Sequence, residues 1–153
     1  MELTTRGRYA VMAMADLARH EAGEPLALAA IAERQKLSLA YLEQLFARLR
    51  RAEIVVSARG RSGGYRLGRK ASDISIADIL TAVEEETRMT RCAGDGATGC
   101  LGEKRCMTHG LWQALGLHIA QFFESVSLQD VIDGGPRIAG VPVPADGERL
   151  AAE

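Results

Sequence analysis

The sequence predicts a mainly α fold with a small β-hairpin, organised as a winged helix-turn-helix domain followed by a long dimerisation helix. Two observations predict the first part: three successive segments with apolar residues at helical spacing, then two short strand-like runs around a basic, glycine-rich tip. A third predicts the last part, because a further apolar stripe begins near Thr108 and runs for about five turns.

The first helix is predicted over 8–20, "RYAVMAMADLARH", where Ala10, Met14, Leu17 and Ala18 form one stripe with Val11 beside it. Gly23 and Pro25 stop it. "LALAAIAERQKL" supplies a short second helix that turns Leu28, Ile31 and Ala32 inward and ends near Lys36. Ser38 can cap the third, "LAYLEQLFARLRRA", whose buried stripe is Leu42, Leu45, Phe46 and Leu49. Its opposite stripe is Ala40, Tyr41, Glu43, Gln44, Ala47, Arg48 and Arg51. "IVVSA" at 54–58 and "GYRLG" at 64–68 read as an antiparallel hairpin around "RGRSG". Ser75 and Asp78 form a capping box for a helix running to about Glu86.

Residues 90–107 hold four glycines and all three cysteines without apolar periodicity, so something besides a hydrophobic face must order them. In the long helix that follows, Leu111, Leu115, His118 or Ile119, Phe122 and Val126 make the stripe, widened by Trp112 and Phe123. More apolar surface lies on this helix than one small domain readily covers, which predicts a homodimer. Ser127 and Asp130 cap a short final helix around Val131. The expected organisation is a DNA-binding domain at 1–87, a ligand loop at 88–109, a dimerisation region at 110–133 and a disordered tail at 134–153.

At 153 residues with 47% apolar and 25% charged, the chain has the balance of one ordinary soluble domain. No run reaches the roughly eighteen apolar residues of a membrane span, and a cytoplasmic protein with no membrane partner is expected. Three cysteines are an odd number, far too few for a disulfide scaffold, which leaves the thiols for metal or redox chemistry. The net charge of −1 conceals an asymmetry: residues 1–70 carry 13 Lys and Arg against 7 Asp and Glu, and residues 71–153 carry 6 against 13. A basic half beside an acidic one points to an anionic partner for the first segment, with duplex DNA leading.

On a recognition helix, outward side chains meet base edges while the wing reaches phosphates or the minor groove. Glu43 can accept from cytosine N4, and Gln44 can pair with adenine. Arg48, Arg50 and Arg51 suit phosphates, and Arg59 and Arg61 sit on the wing tip. Cys92, Cys100, Cys106 and His109 follow C-x7-C-x5-C-x2-H, a donor set that suits a structural zinc or an iron-sulfur cluster with one histidine ligand. Zinc usually takes two close cysteine pairs, whereas the one short spacing here is Cys106 to His109, which favours a cluster. His20 near a helix end suits the helix dipole, and His118 is read as packing or interface. A Cys-His nucleophile pair is chemically conceivable, but no oxyanion motif, phosphate loop or carboxylate pair accompanies it, so no enzyme activity is expected.

"LTTRGRYAVMAM", "IAERQKLSLAYLEQLFARLRRAEIV", "SARGRSGGYRLG" and "RCAGDGATGC" with "KRCMTHGLW" together resemble the IscR family of iron-sulfur cluster regulators, over about residues 1–133. The resemblance implies a homodimeric regulator, mainly a repressor, that binds a 2Fe-2S cluster and controls the cluster-assembly genes, with the assembly machinery as cluster donor. It implies Cys92, Cys100, Cys106 and His109 as ligands, and Ser38, Tyr41, Glu43, Gln44 and the wing residue Arg59 as DNA-reading positions. Two departures stand out: seven residues separate Cys92 from Cys100 where the family more often has five, and Ala40 replaces a frequent hydroxyl residue. Regulators of the same fold that sense nitric oxide or iron status are the alternative within the class. A structural-zinc module docking an acidic protein is the alternative outside it.

Overall fold

The computed structural model describes residues 3–21, 23–60, 63–87 and 104–135. α1 (Thr5–His20) buries Ala10, Ala13, Met14 and Leu17, adding Ala13 to the expected stripe. It begins three residues before the expected start at Arg8, and the reason is tertiary. Thr4, the N-cap, makes no capping bond of its own; its N–H donates to Glu85 Oε1 at 2.7 Å and its hydroxyl to Glu85 Oε2 at 2.5 Å. A distant carboxylate thus satisfies donors that the first turn leaves open. Gly7 makes room for it, since a Cβ there would lie 2.8 Å from Glu85 Cγ.

α2 (Leu28–Gln35) ends at Lys36, which is left-handed with φ of 55°. A buried acid clamps α1 to α2. The Asp16 carboxylate accepts from Arg34 Nε at 3.1 Å and from Gln35 Nε2 at 2.7 Å, with His20 Nδ1 3.5 Å away. Burial pushes this carboxyl up, but the hydrogen bonds from Arg34 and Gln35 and the charges of Arg34 and His20 outweigh it and hold it below its ordinary value. α3 (Leu39–Arg51) buries Leu42, Leu45, Phe46 and Leu49, the four residues its spacing selects, and Ser38 caps it by accepting from Tyr41 N–H at 3.4 Å.

β1 (Val55–Ala58) and β2 (Gly64–Leu67) pair antiparallel from Val55↔Leu67 to Ala58↔Gly64, one residue shorter at each outer end than the sequence suggested. The hairpin does not stand alone. Leu26 exchanges two backbone hydrogen bonds with Tyr65, at 2.9 and 2.8 Å, making the connector between α1 and α2 a third edge. Position 64 has to be glycine for this approach, because a Cβ would fall 2.4 Å from the Leu26 carbonyl oxygen. The Tyr65 ring then meets Phe46 of α3 edge-on at 5.0 Å.

After a 3₁₀ turn at Ala71–Asp73, α4 (Ile76–Ala82) starts on the expected capping box, Asp78 N–H to Ser75 Oγ at 3.0 Å and Ser75 N–H to Asp78 Oδ2 at 3.1 Å. It stops at Ala82, four residues before the expected end at Glu86. Glu84 takes a left-handed φ of 57°, and the Glu85 N–H returns to Leu80 O at 2.9 Å, turning the Glu85 side chain in toward α1. α5 (His109–Ser125) packs Phe122 and Phe123 against the core and buries no residue fully within the single chain. α6 (Leu128–Ile132) has the second expected capping box, on Ser127 and Asp130. The two boxes lie against each other, for Ile76 N–H donates to Val126 O and Leu128 N–H to Ile74 O. The expected tail falls at 136–153 outside the described residues.

Asp16 and Glu85 together set an acid limit. Burial raises the Glu85 carboxyl too, and the Thr4 hydrogen bonds with the nearby Arg6 charge bring it below its ordinary value. The folded state therefore holds fewer protons than the unfolded chain, so stability is complete above the unfolded carboxylate range of about 3.9–4.3 and declines as pH falls through the lower folded values. Thermal midpoints measured between neutral pH and pH 3 should show this decline. Glu85→Gln should flatten it and cost about 1–3 kcal/mol at neutral pH; an unchanged pH profile would show that Glu85 does not carry it.

Candidate nucleic-acid interface and ligand junction

α3 presents Ala40, Glu43, Gln44, Arg50 and Arg51 to solvent. The packing of Leu42, Leu45, Phe46 and Leu49 fixes which way they point, so the exposed stripe is as rigid as the core beneath it. Ser38 is exposed, yet its hydroxyl oxygen is already in use as the cap. Tyr41 is half-buried and stands edge-on to Tyr9 of α1, with ring centroids 6.1 Å apart. Arg51 donates one N–H to Ala47 O at 3.3 Å, which leaves its outer nitrogens toward solvent.

Arg48 sits differently from the other arginines of this helix. Its guanidinium donates to the Glu84 carboxylate and, at 3.5 Å, to Val83 O, tying α3 to the end of α4. A phosphate would have to compete with that pair. On the wing Arg59 is exposed and Arg61 lies outside the described residues. Arg66, which the sequence reasoning passed over, is exposed on β2; its neighbours Tyr65 and Leu67 are half-buried, and that alternation was the available signal. Arg69 is occupied by Asp78, at 3.4 Å, and by Asp73 O.

Of the four expected ligands, Cys92 and Cys100 lie outside the described residues. Cys106 and His109 bracket the turn that opens α5: the His109 N–H donates to Cys106 O at 3.1 Å, and Cys106 Sγ lies 3.5 Å from Thr108 Oγ1. The Cys106 thiol is half-buried and forms no disulfide among the described residues. Among the described residues no group of three or more His, Cys, Asp or Glu side chains is gathered as a metal site. The pair that is described fits one: a soft and a borderline donor stand three residues apart at a helix start, the donor chemistry of zinc or an iron-sulfur cluster. His20, by contrast, belongs to the α1 terminus, its Nδ1 2.8 Å from Asp16 O, and His118 is exposed on α5.

Comparison with known proteins agrees with this geometry. The family model Rrf2, described as iron-dependent transcriptional regulator, matches residues 3–134. The HTH-type transcriptional regulator IscR of Photorhabdus laumondii is 50% identical over 133 residues, covering 87% of this chain and 80% of the relative. That of Sodalis glossinidius is 48% identical over 132 residues, covering 86% and 79%. Among solved structures, T. potens IscR superposes with a TM-score of 0.71 at 36% identity, covering 87% of each chain. The B. subtilis global cysteine regulator CymR gives 0.74 at 30% identity, covering 87% of this chain and 97% of that one. No helix among the described residues is long and apolar enough to cross a membrane.

The exposed stripe yields a division of labour that binding assays can read, since phosphate contacts act on every sequence and base contacts on some. Arg51→Ala should weaken binding to all duplexes and reduce the slope of log K against log salt by about one. Glu43→Ala should instead relax discrimination at one base pair by about 1–3 kcal/mol while non-specific binding holds or rises, because a carboxylate near phosphates is favourable only opposite a cytosine donor. Competition with single-base operator variants decides it; a uniform loss across all variants would place Glu43 in support of the helix.

Proposed function

Since the chain belongs to the Rrf2 family of iron-dependent transcriptional regulators, and not to an enzyme family, we propose that it is a homodimeric repressor whose DNA binding is set by a 2Fe-2S cluster. The observation that carries this reading is the junction at 106–109. Cys106 and His109, the last two of the four spaced donors, stand where the ligand loop becomes α5, so ligation there acts directly on the helix proposed to form the dimer.

Cys92, Cys100, Cys106 and His109 would hold the cluster, which supplies a cross-link whose loss under oxidant, nitric oxide or iron shortage changes the order of the loop. His109, as the first residue of α5, would fix the pitch at which the helix leaves the loop. On α5 Leu111 and Leu117 are 61% and 59% exposed, and Leu115 is half-buried. A second copy of this face supplies the missing cover, joining two recognition helices for a two-fold operator. Metal affinity and DNA affinity then shift each other by the same factor, as linkage requires. Ser38, Tyr41, Glu43, Gln44, Arg48, Arg51, Arg59 and Arg61 form the DNA-facing set, with the 1–87, 88–109 and 110–133 segments as the units, and the cluster-assembly genes as targets.

Iron, sulfide and zinc analysis with visible and electron paramagnetic resonance spectra of anaerobically isolated protein tests the reading. Brown protein with equal iron and sulfide is expected; colourless protein with stoichiometric zinc would replace the cluster by a structural site. Alanine at Cys92, Cys100 or Cys106 should abolish the spectrum, and His109→Cys should keep a cluster of lower potential, as thiolate adds negative charge. An unchanged spectrum in His109→Ala would remove that residue from the ligand set. Leu115→Asp should convert the dimer to monomers in sedimentation, and a wild type already monomeric at micromolar concentration would contradict the dimer.

A further inference from the structure

The turn that ends α4 is held by arginines from two other helices. Arg48 of α3 binds Val83 O and the Glu84 carboxylate, while Arg6 of α1 donates to Glu84 O and stands 3.6 Å from Glu85 Oε2. Of the three arginines in the last turn of α3, Arg50 and Arg51 have no acidic partner among the described residues, and Arg48 alone is engaged with one. The engagement is a surface one. Glu84 is 72% exposed at its side chain, so solvent screens the pair and the net attraction is small. Glu84 also sits in a left-handed conformation that a residue with a Cβ adopts at a cost, so its position is imposed by the turn and its side chain is delivered to Arg48 by the fold.

A weak, exposed carboxylate partner on an arginine of the helix that faces DNA has one evident competitor, a DNA phosphate, whose two non-bridging oxygens accept from a guanidinium fork as a carboxylate does and which sits within the dense negative charge of the duplex backbone. We propose that the Arg48–Glu84 pair is an autoinhibitory contact: Glu84 occupies the guanidinium that α3 would otherwise give to a phosphate, and so lowers affinity for duplexes of every sequence. This rests on α3 being the DNA-facing helix.

The test is a double-mutant cycle on the full-length protein, with duplex affinity measured across a series of salt concentrations for Glu84→Gln, Arg48→Ala and the pair. Glu84→Asn, which tolerates a left-handed backbone, serves as a second variant should Gln disturb the turn. Glu84→Gln should bind every duplex several-fold more tightly, with a salt slope steeper by about 0.9, one extra phosphate contact. Arg48→Ala should lose whatever phosphate contact the guanidinium makes in the wild type, and the double variant should match Arg48→Ala in affinity and slope, the gain from Glu84→Gln having vanished. An equal gain in the Arg48→Ala background would show that Glu84 acts only as a nearby negative charge. Weaker binding in Glu84→Gln would make the pair a strut. Either result overturns the proposal alone, whereas a salt slope unmoved by Arg51→Ala would remove α3 from the DNA surface and the proposal with it.

Discussion

A carboxylate with no solvent-exposed side-chain surface survives as an anion only where donors enclose it, and Glu85 is enclosed by the first turn of α1. That contact spans 81 positions of sequence and fixes three things together. It starts α1 at Thr5 in place of a local cap. It demands that α4 reverse at Glu84, since a helix continued to Glu86 would carry the carboxylate elsewhere. It also brings α1 and α4 close enough that position 7 must lack a side chain. The hydrophobic core contributes far more area, but this ion decides the relative placement of the helices that supply it.

The charge asymmetry of the chain reads differently once folded. Acidic residues of the second half do not all stand apart from the basic first half: Glu84, Glu85 and Asp78 meet Arg48, Arg6 and Arg69. Part of the positive field expected over residues 1–70 is therefore neutralised from behind. Of the cations still exposed for an anionic partner, Arg50, Arg51, Arg59 and Arg66 lie at the end of α3 and along the wing, while Arg8, Arg19, Lys36 and Lys70 lie elsewhere in residues 1–70.

Features written in local spacing were legible. The buried stripe of α3 and both serine-aspartate capping boxes follow from neighbours three or four positions apart, the hairpin from two short runs around one tip, and the family from contiguous stretches of 9 to 25 residues. Asp16 was not legible, because an acid between Ala15 and Leu17 resembles a solvated position until Arg34 and Gln35 arrive from α2. The end of α4 was missed for a related reason: Val83 keeps the apolar period and three glutamates favour helix, so only the distant α1 explains the stop. Within the site, the cysteine spacing and the outward face of α3 could be read directly. The partner of Arg48 lies 36 residues away, and no spacing rule reaches that far.

The two backbone hydrogen bonds between Leu26 and Tyr65 bear on how this architecture can be recombined. Because the wing is sewn to the connector ahead of α2, its pitch relative to α3 is inherited from residues 21–27, with Glu21 also accepting from the Leu67 N–H at 2.7 Å. The helix-turn-helix is therefore not a cassette that can be lifted out at Leu28. A transplant of α2, α3 and hairpin into a related scaffold carries its own wing angle only if that connector travels with it, and lengthening the connector by one residue would shift the pairing at Tyr65 onto its opposite face.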